Sequence, residues 1–217
     1  MNIVWHGQSF FQITTSPKNN EKINIAIDPF SQEIGIKPPI LETDILLISH
    51  NHSDHNNIKI IKNNPFIIDG PGEYEIKNIY IKGFYGFHDN VLGKERGKIT
   101  IYTIESEGIK ICHLSDLGQK ELDEKQLEQI GDVDILMIPI GGNFTINAQE
   151  AIKIMSQIEP KIIIPMHYQI PKLKLKLDDV DKFLKILGIK DIESLPKLSI
   201  KKKDIAEEEA KIIVLKP

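Results

Sequence analysis

The sequence predicts an α/β fold in which two stacked β-sheets carry helices on their outer faces, a four-layer αββα sandwich. Short β-branched runs bounded by Gly, Pro, Asn or Asp occur in both halves of the chain. Three runs, Ile45–Ser49, Ile135–Pro139 and Ile162–Pro165, are almost wholly apolar, as strands buried on both faces are. Helical patterns appear in the second half, where they can cover a sheet. The pattern alone does not select this sandwich over other α/β arrangements.

The first half reads as the strands Ile3–Trp5, Phe10–Thr15, Ile23–Ile27, Ile45–Ser49, Phe66–Ile68 and Ile79–Phe84. A short helix is expected around Asn57–Lys62, and Gly72-Glu73-Tyr74-Glu75 reads as a turn leading into a strand. Ile99–Ile104 and Ile109–His113 form a hairpin turned by Glu107-Gly108. Asn147 with Glu150 is a helix start, followed by an apolar face of Ala151, Ile152, Ile154, Met155 and Ile158 that ends before Pro160. A further helix runs from about Asp178 to Leu187 and stops at Gly188. The alternation over Lys172–Leu177 reads as a solvated strand or loop face rather than an anion-binding edge. Leu198–Lys202 and Lys211–Leu215 read as a closing pair of strands.

With 217 residues the chain can bury one sizeable core, so one domain over residues 1–217 is expected. Apolar residues make up 41% and charged residues 27%, with a net charge of -4, the profile of a soluble globular protein. That mild acidity argues against a nucleic-acid partner, which usually requires a basic face. The single cysteine, Cys112, excludes an intramolecular disulfide and fits a reducing compartment. No basic leader precedes an apolar stretch, and no apolar run approaches the ~20 residues of a membrane helix. A cytoplasmic location without membrane attachment is expected.

The chemistry concentrates at His50-Asn51-His52-Ser53-Asp54-His55, directly after the buried run Ile45–Ser49. Three of the seven histidines and one carboxylate thus leave the end of a rigid core strand together. Neutral imidazole and carboxylate are ligands for zinc and other borderline divalent ions. Four such groups in six residues do not all aim easily at one ion, so a two-metal site is expected. The alternative is a solvated loop that happens to hold several histidines.

His50-x-His52-x-Asp54-His55 resembles the signature of the metallo-β-lactamase superfamily, whose fold is the αββα sandwich. The resemblance runs through Trp5–Phe10, Asp28-Pro29-Phe30, Gly70–Glu75, Phe87-His88-Asp89, His113–Gly118 and Ile164–Tyr168, nearly the whole chain. It is strongest toward small Zn-dependent hydrolases similar to ascorbate-6-phosphate lactonase. It implies that His50, His52 and His88 hold a first ion, that Asp54, His55 and His167 hold a second, and that Asp116 bridges both. Asp28 would orient a ligand imidazole through its other ring nitrogen. The implied cofactor is a pair of zinc ions, with Mn2+ or Fe2+ as alternatives. The implied activity is hydrolysis by a metal-bound hydroxide, with Asp54 orienting the hydroxide and accepting its proton.

Residue by residue, the sequence supports these roles unevenly. His167 follows a buried strand, as the histidine cluster does. Asp116 taken alone would be an ordinary turn residue. His88 has a rival in His113, three residues before Asp116, although a strand position would suit a core histidine. His6 could line the pocket, but a structural role suits it better. The family's Gly-Asp pair is Ser115-Asp116 here, and Gly7-Gln8-Ser9 replaces a Gly-His-Ser common in relatives, so position 8 lacks a proton shuttle. His at position 52, where di-iron redox relatives carry Glu, argues against redox chemistry. The expected substrate is a small molecule such as a lactone or a phosphorylated metabolite, and a homo-oligomer is compatible with the resemblance. The competing functions are a nucleic-acid phosphodiesterase on the same fold and a non-catalytic metal-binding regulator.

Overall fold

Two mixed sheets form, each with an antiparallel half joined to a parallel half. The computed structural model describes residues 1–18, 21–205 and 210–217. In chain order the strands begin β1 (Asn2–Trp5), β2 (Phe11–Thr15), β3 (Ile23–Ile27), β4 (Ile45–Leu47), β5 (Phe66–Ile68), β6 (Gly72–Ile76) and β7 (Ile79–Phe87). They continue β8 (Lys98–Ser106), β9 (Ile109–His113), β10 (Ile135–Pro139), β11 (Ile162–Met166), β12 (Leu198–Ser199) and β13 (Lys211–Ile212). The helices are α1 (Glu124–Ile130), α2 (Ala148–Ile158) and α3 (Val180–Ile186). The first sheet has the order β12-β1-β2-β3-β4-β5 and the second β13-β11-β10-β9-β8-β7-β6. This is the expected fold class.

Burial follows the chemistry of each half. In β2, on the antiparallel side, buried and half-buried residues alternate, whereas β4, β10 and β11 in the parallel halves are buried throughout. The sheets are tied across the core by the buried Tyr102 on β8, whose hydroxyl donates to the Ile48 carbonyl at 2.8 Å. The Thr100 N–H donates to the Ser49 carbonyl, also at 2.8 Å. Helix α2 is the crossover that parallel β10 and β11 require. Its capping box forms as the sequence indicates: Asn147 Oδ1 accepts from the N–H groups of Gln149 and Glu150, and Glu150 Oε2 accepts from that of Asn147.

Several expectations are corrected. The segment Asn57–Lys62 makes a single 3-10 turn at Ile58–Ile60 rather than a longer helix; the Asn57 side chain forms no cap and donates its Nδ2 to the Phe30 carbonyl. Gly72–Glu75 belongs to strand β6 itself, since Tyr74 and Ile76 turn inward while the glutamates face water. The two tail strands do not pair: β12 lies on β1 and β13 on β11, so the tail closes both sheets separately. By contrast, Lys172–Leu177 is the solvated loop face anticipated for it, an irregular segment in which Leu173 is buried and the lysines are exposed. Helix α1 was not anticipated, although its start carries a local signal, a capping box of Asp123 and Gln126. No helix among the described residues is long and apolar enough to cross a membrane.

Candidate metal centre

Strand direction assembles the site. β1, β3 and β4 run one way in the first sheet, and β7, β9 and β11 run one way in the second. Their carboxyl ends deliver Gln8 and Ser9, Asp28, the 50–55 cluster, His88, Asp116 and His167. The carboxyl ends of parallel strands are where open α/β sheets place their ligands.

The delivered side chains form two groups, His50, His52 and His88 in one, and Asp54, His55, Asp116 and His167 in the other. Within each, one donor atom per residue lies within 4.8 Å of the others. His50 Nε2 and His52 Nδ1 are 3.0 Å apart. Asp116 Oδ2 sits 3.0 Å from His55 Nε2, 3.3 Å from His167 Nε2 and 3.7 Å from His88 Nε2, so one carboxylate oxygen faces both groups. Asp54 Oδ2 is 3.7 Å from His55 Nε2. Donors placed ~2.0–2.1 Å around a tetrahedral ion are roughly 3.3 Å from each other. The observed separations straddle that edge length. The donor set, imidazole nitrogen with carboxylate oxygen, suits a borderline divalent cation.

Neighbouring groups fix this arrangement. Asp28 is fully buried; its Oδ1 accepts from the Ser49 N–H and its Oδ2 from the Ser49 hydroxyl, both at 2.7 Å. The same Oδ2 lies 3.1 Å from His55 Nδ1, near enough to pair but bent away from a straight hydrogen bond. His50 Nδ1 is 2.9 Å from Ser49 Oγ, which leaves Nε2 facing the cluster. Ser9 donates its hydroxyl to Asp116 Oδ1 at 2.9 Å. Two glycines allow close approach: a Cβ at Gly118 would overlap the His88 backbone, and one at Gly141 the His167 carbonyl.

Charge follows the geometry. Burial and the neighbouring His55 push His50 down to about 2, so it is a neutral imidazole. Burial works against a charged His55, but Asp116 and Asp28 on its two sides raise it well above its ordinary value. Burial likewise opposes an ionised Asp116, yet His167 and His55 hold it well below the usual carboxylate range. Burial pushes the Cys112 thiol up to about 12, which leaves it without nucleophilic character.

All seven residues of the anticipated ligand set converge. Between the rivals, His88 joins the cluster and His113 does not. Both ring nitrogens of His113 are occupied, Nε2 by the Ser9 carbonyl at 3.0 Å and Nδ1 by the Ser115 N–H at 3.2 Å. His6 stands 3.4 Å from Gln12 Oε1 on a separate groove. The Gln8 amide nitrogen is 3.4 Å from His167 Nε2, and its backbone carbonyl accepts from the His167 N–H. Position 8 therefore holds His167 through the main chain. Sequence reasoning missed the serines that orient the donors. For Ser49 and Ser115 a signal was present, a hydroxyl directly before His50 and before Asp116. It also missed Arg96, Phe144 and Leu175, which wall a cavity of about 330 Å³ over the cluster.

Comparison with known proteins shows the family. A model described as "Beta-lactamase superfamily domain" matches residues 2–167. A UPF0173 metal-dependent hydrolase of Thermococcus onnurineus is 31% identical, the match covering 85% of this chain and 91% of that one. The crystal structure of a protein described as a Zn-dependent hydrolase of the metallo-β-lactamase superfamily, from Thermotoga maritima, superposes with a TM-score of 0.77 at 35% identity, covering 99% of this chain and 97% of the other. A metallo hydrolase from Ignicoccus hospitalis shares the fold at 18% identity, with a TM-score of 0.65 over 92% of this chain and 99% of its own.

Proposed function

The chain belongs to the metallo-β-lactamase superfamily as a metal-dependent hydrolase, and on that premise we propose that it is a dinuclear enzyme, zinc-loaded, acting on a small molecule such as a lactone or a phosphorylated metabolite. The observation that carries this reading is the position of Asp116 Oδ2, within 3.0–3.7 Å of imidazoles from both groups. His50, His52 and His88 would hold one ion, Asp54, His55 and His167 the other, and Asp116 both. When bound, the ions would acidify a water toward ~7 and polarise the substrate oxygen. Asp54, half-buried at the cavity wall, is the carboxylate placed to take up a proton beside the reacting bond. Asp28 fixes the ring of His55, and Ser9 fixes the carboxylate of Asp116. Cavity size supports a small substrate, since about 330 Å³ is at the low end for ligand pockets.

The test is elemental analysis of protein purified without added metal, beside a His167→Ala variant. About two ions per chain, falling to about one in the variant, supports the dinuclear reading. Hydrolysis of a lactone or phosphoester panel that chelation abolishes without unfolding completes it. A chain that neither carries metal nor takes it up on reconstitution overturns the proposal.

A further inference from the structure

Arg96 is the only arginine in the chain, against 26 lysines. It lies in the segment between β7 and β8, half-buried on the wall of the cavity above the histidine cluster. Its Cζ stands 4.8 Å from the centre of the Phe144 ring. Among the described residues no carboxylate pairs with it, whereas Lys77, Lys82, Lys120, Lys182 and Lys202 each have an acidic partner. The backbone beneath it is anchored, because the Arg96 N–H donates to the buried Asp89 carboxylate at 2.8 Å. A guanidinium that rests on an aromatic face keeps its N–H edge free, and that edge matches the two oxygens of a carboxylate or phosphoryl group.

We propose that Arg96 is the substrate-binding residue of this cavity and that the substrate is a small oxyanion. Its carboxylate or phosphoryl group is held by the guanidinium, and its apolar part lies against Leu175 and the remaining face of Phe144. This deepens, and rests on, the hydrolase reading above. Lysine replaces the residue only in part, because a flexible ammonium keeps the charge but offers neither a planar fork nor stacking on Phe144. Phe144 comes from the loop after β10 and Arg96 from the loop after β7, so two strands of the second sheet set the distance between guanidinium and cluster.

The experiment is calorimetric binding of two inert anions, phenylphosphonate and 3-phenylpropionate, to the metal-loaded protein and to its Arg96→Met and Arg96→Lys variants. Wild type should bind at least one of them, and Arg96→Met should weaken that binding roughly ten- to hundredfold, the range of a charge-assisted bidentate contact. Arg96→Lys should recover part of the loss. The tighter of the two ligands identifies the substrate group as phosphoryl or carboxylate. In parallel, the preference of the protein for mono-4-nitrophenyl succinate over neutral 4-nitrophenyl acetate should fall at least about tenfold in Arg96→Met. Binding of both anions within about twofold of wild type in Arg96→Met, or no binding by wild type below about 10 mM, overturns the assignment. Failure of the hydrolase reading is distinct, because anion binding that depends on Arg96 would then persist with no ester or lactone turned over.

Discussion

Asp89, next to His88, organises the segment that bears Arg96, and its replacement gives a quantitative test. Its Oδ1 accepts the N–H groups of Val91 and Gly93 at 2.9 and 2.8 Å; its Oδ2 accepts those of Glu95 and Arg96 at 3.0 and 2.8 Å. Burial opposes the charge, but these four N–H groups hold the carboxyl below the usual carboxylate range. The loop then closes on the ligand cluster through the His88 N–H, which donates to the Gly97 carbonyl at 3.1 Å. Asp89→Asn keeps one acceptor and turns an amide N–H2 toward two backbone donors. Two hydrogen bonds to a charged acceptor, each worth ~1.5–3 kcal/mol, are lost, although water reaches part of this loop and offsets some of the cost. The expected destabilisation is about 2–4 kcal/mol. Urea denaturation of the metal-free protein measures it, and amide exchange at residues 91, 93, 95 and 96 should accelerate in step. A change below about 0.5 kcal/mol with unaltered exchange would refute the reasoning, because the carboxylate would then not be what folds the loop.

Other perturbations separate ligands from supports. His88→Ala should remove about one ion per chain, whereas His113→Ala should lower the thermal midpoint yet keep the metal content; elemental analysis of both checks this, and the reverse pattern would reinstate His113 as the ligand. Asp28→Asn keeps shape and tolerates φ 51° but loses the charge beside His55, so affinity for one of two ions should drop about 10–100-fold in a chelator competition. Glu107 illustrates pH dependence: burial opposes its ionisation, but the Ser16 N–H, the Met1 amino group and the Thr15 hydroxyl lower its pKa in the fold. Its contribution is therefore complete above the unfolded value of ~4.3 and disappears as pH falls through the lower folded value. Wild type should exceed Glu107→Gln by about 1 kcal/mol at pH 7 and by almost nothing near pH 2–3, as read from denaturation curves at both values.

What could be read in the sequence depended on how local the signal was. β3, β5, β9 and β10 match their anticipated spans because a β-branched run and its breakers lie within a few residues. The start of α2 was equally local, an Asn and a Glu three residues apart. The edge strand β6 was hidden because its glutamates and glycine resemble a turn until β7 pairs with them. At the site, the 50–55 cluster declared itself by density. Asp116 and His167 are single residues after strands, and their selection came from the family resemblance; in the fold, sheet topology brings them to the cluster. Arg96 left no sequence signal beyond its rarity, because its meaning lies in what faces it, Phe144 from a loop almost fifty residues away.

The strand ends share a further property that ties fold to site. Gln8, Asp28, Ser115 and His167 have φ of 50°, 51°, 51° and 49°, and none is glycine. A left-handed residue at the end of a strand turns the chain abruptly, which lets the residue or its neighbour project over the sheet edge. Each such residue costs of order 1–2 kcal/mol and persists only where the surroundings hold it. Here the bonds that hold these residues also orient the donors. The Gln8 carbonyl receives the His167 N–H, so two of the left-handed residues hold each other. The Ser115 hydroxyl donates to Ser49 Oγ at 2.6 Å, and Ser49 in turn donates to Asp28 beside His55. This accounts for serine at position 115 where the resembled family has glycine. Glycine would relieve the backbone cost, but it would also delete the hydroxyl that joins the Asp116 turn to the Asp28–Ser49 network. The two effects are of similar size, about 1 kcal/mol each, so either residue sustains the turn, and Asp116 is delivered to the cluster in both cases.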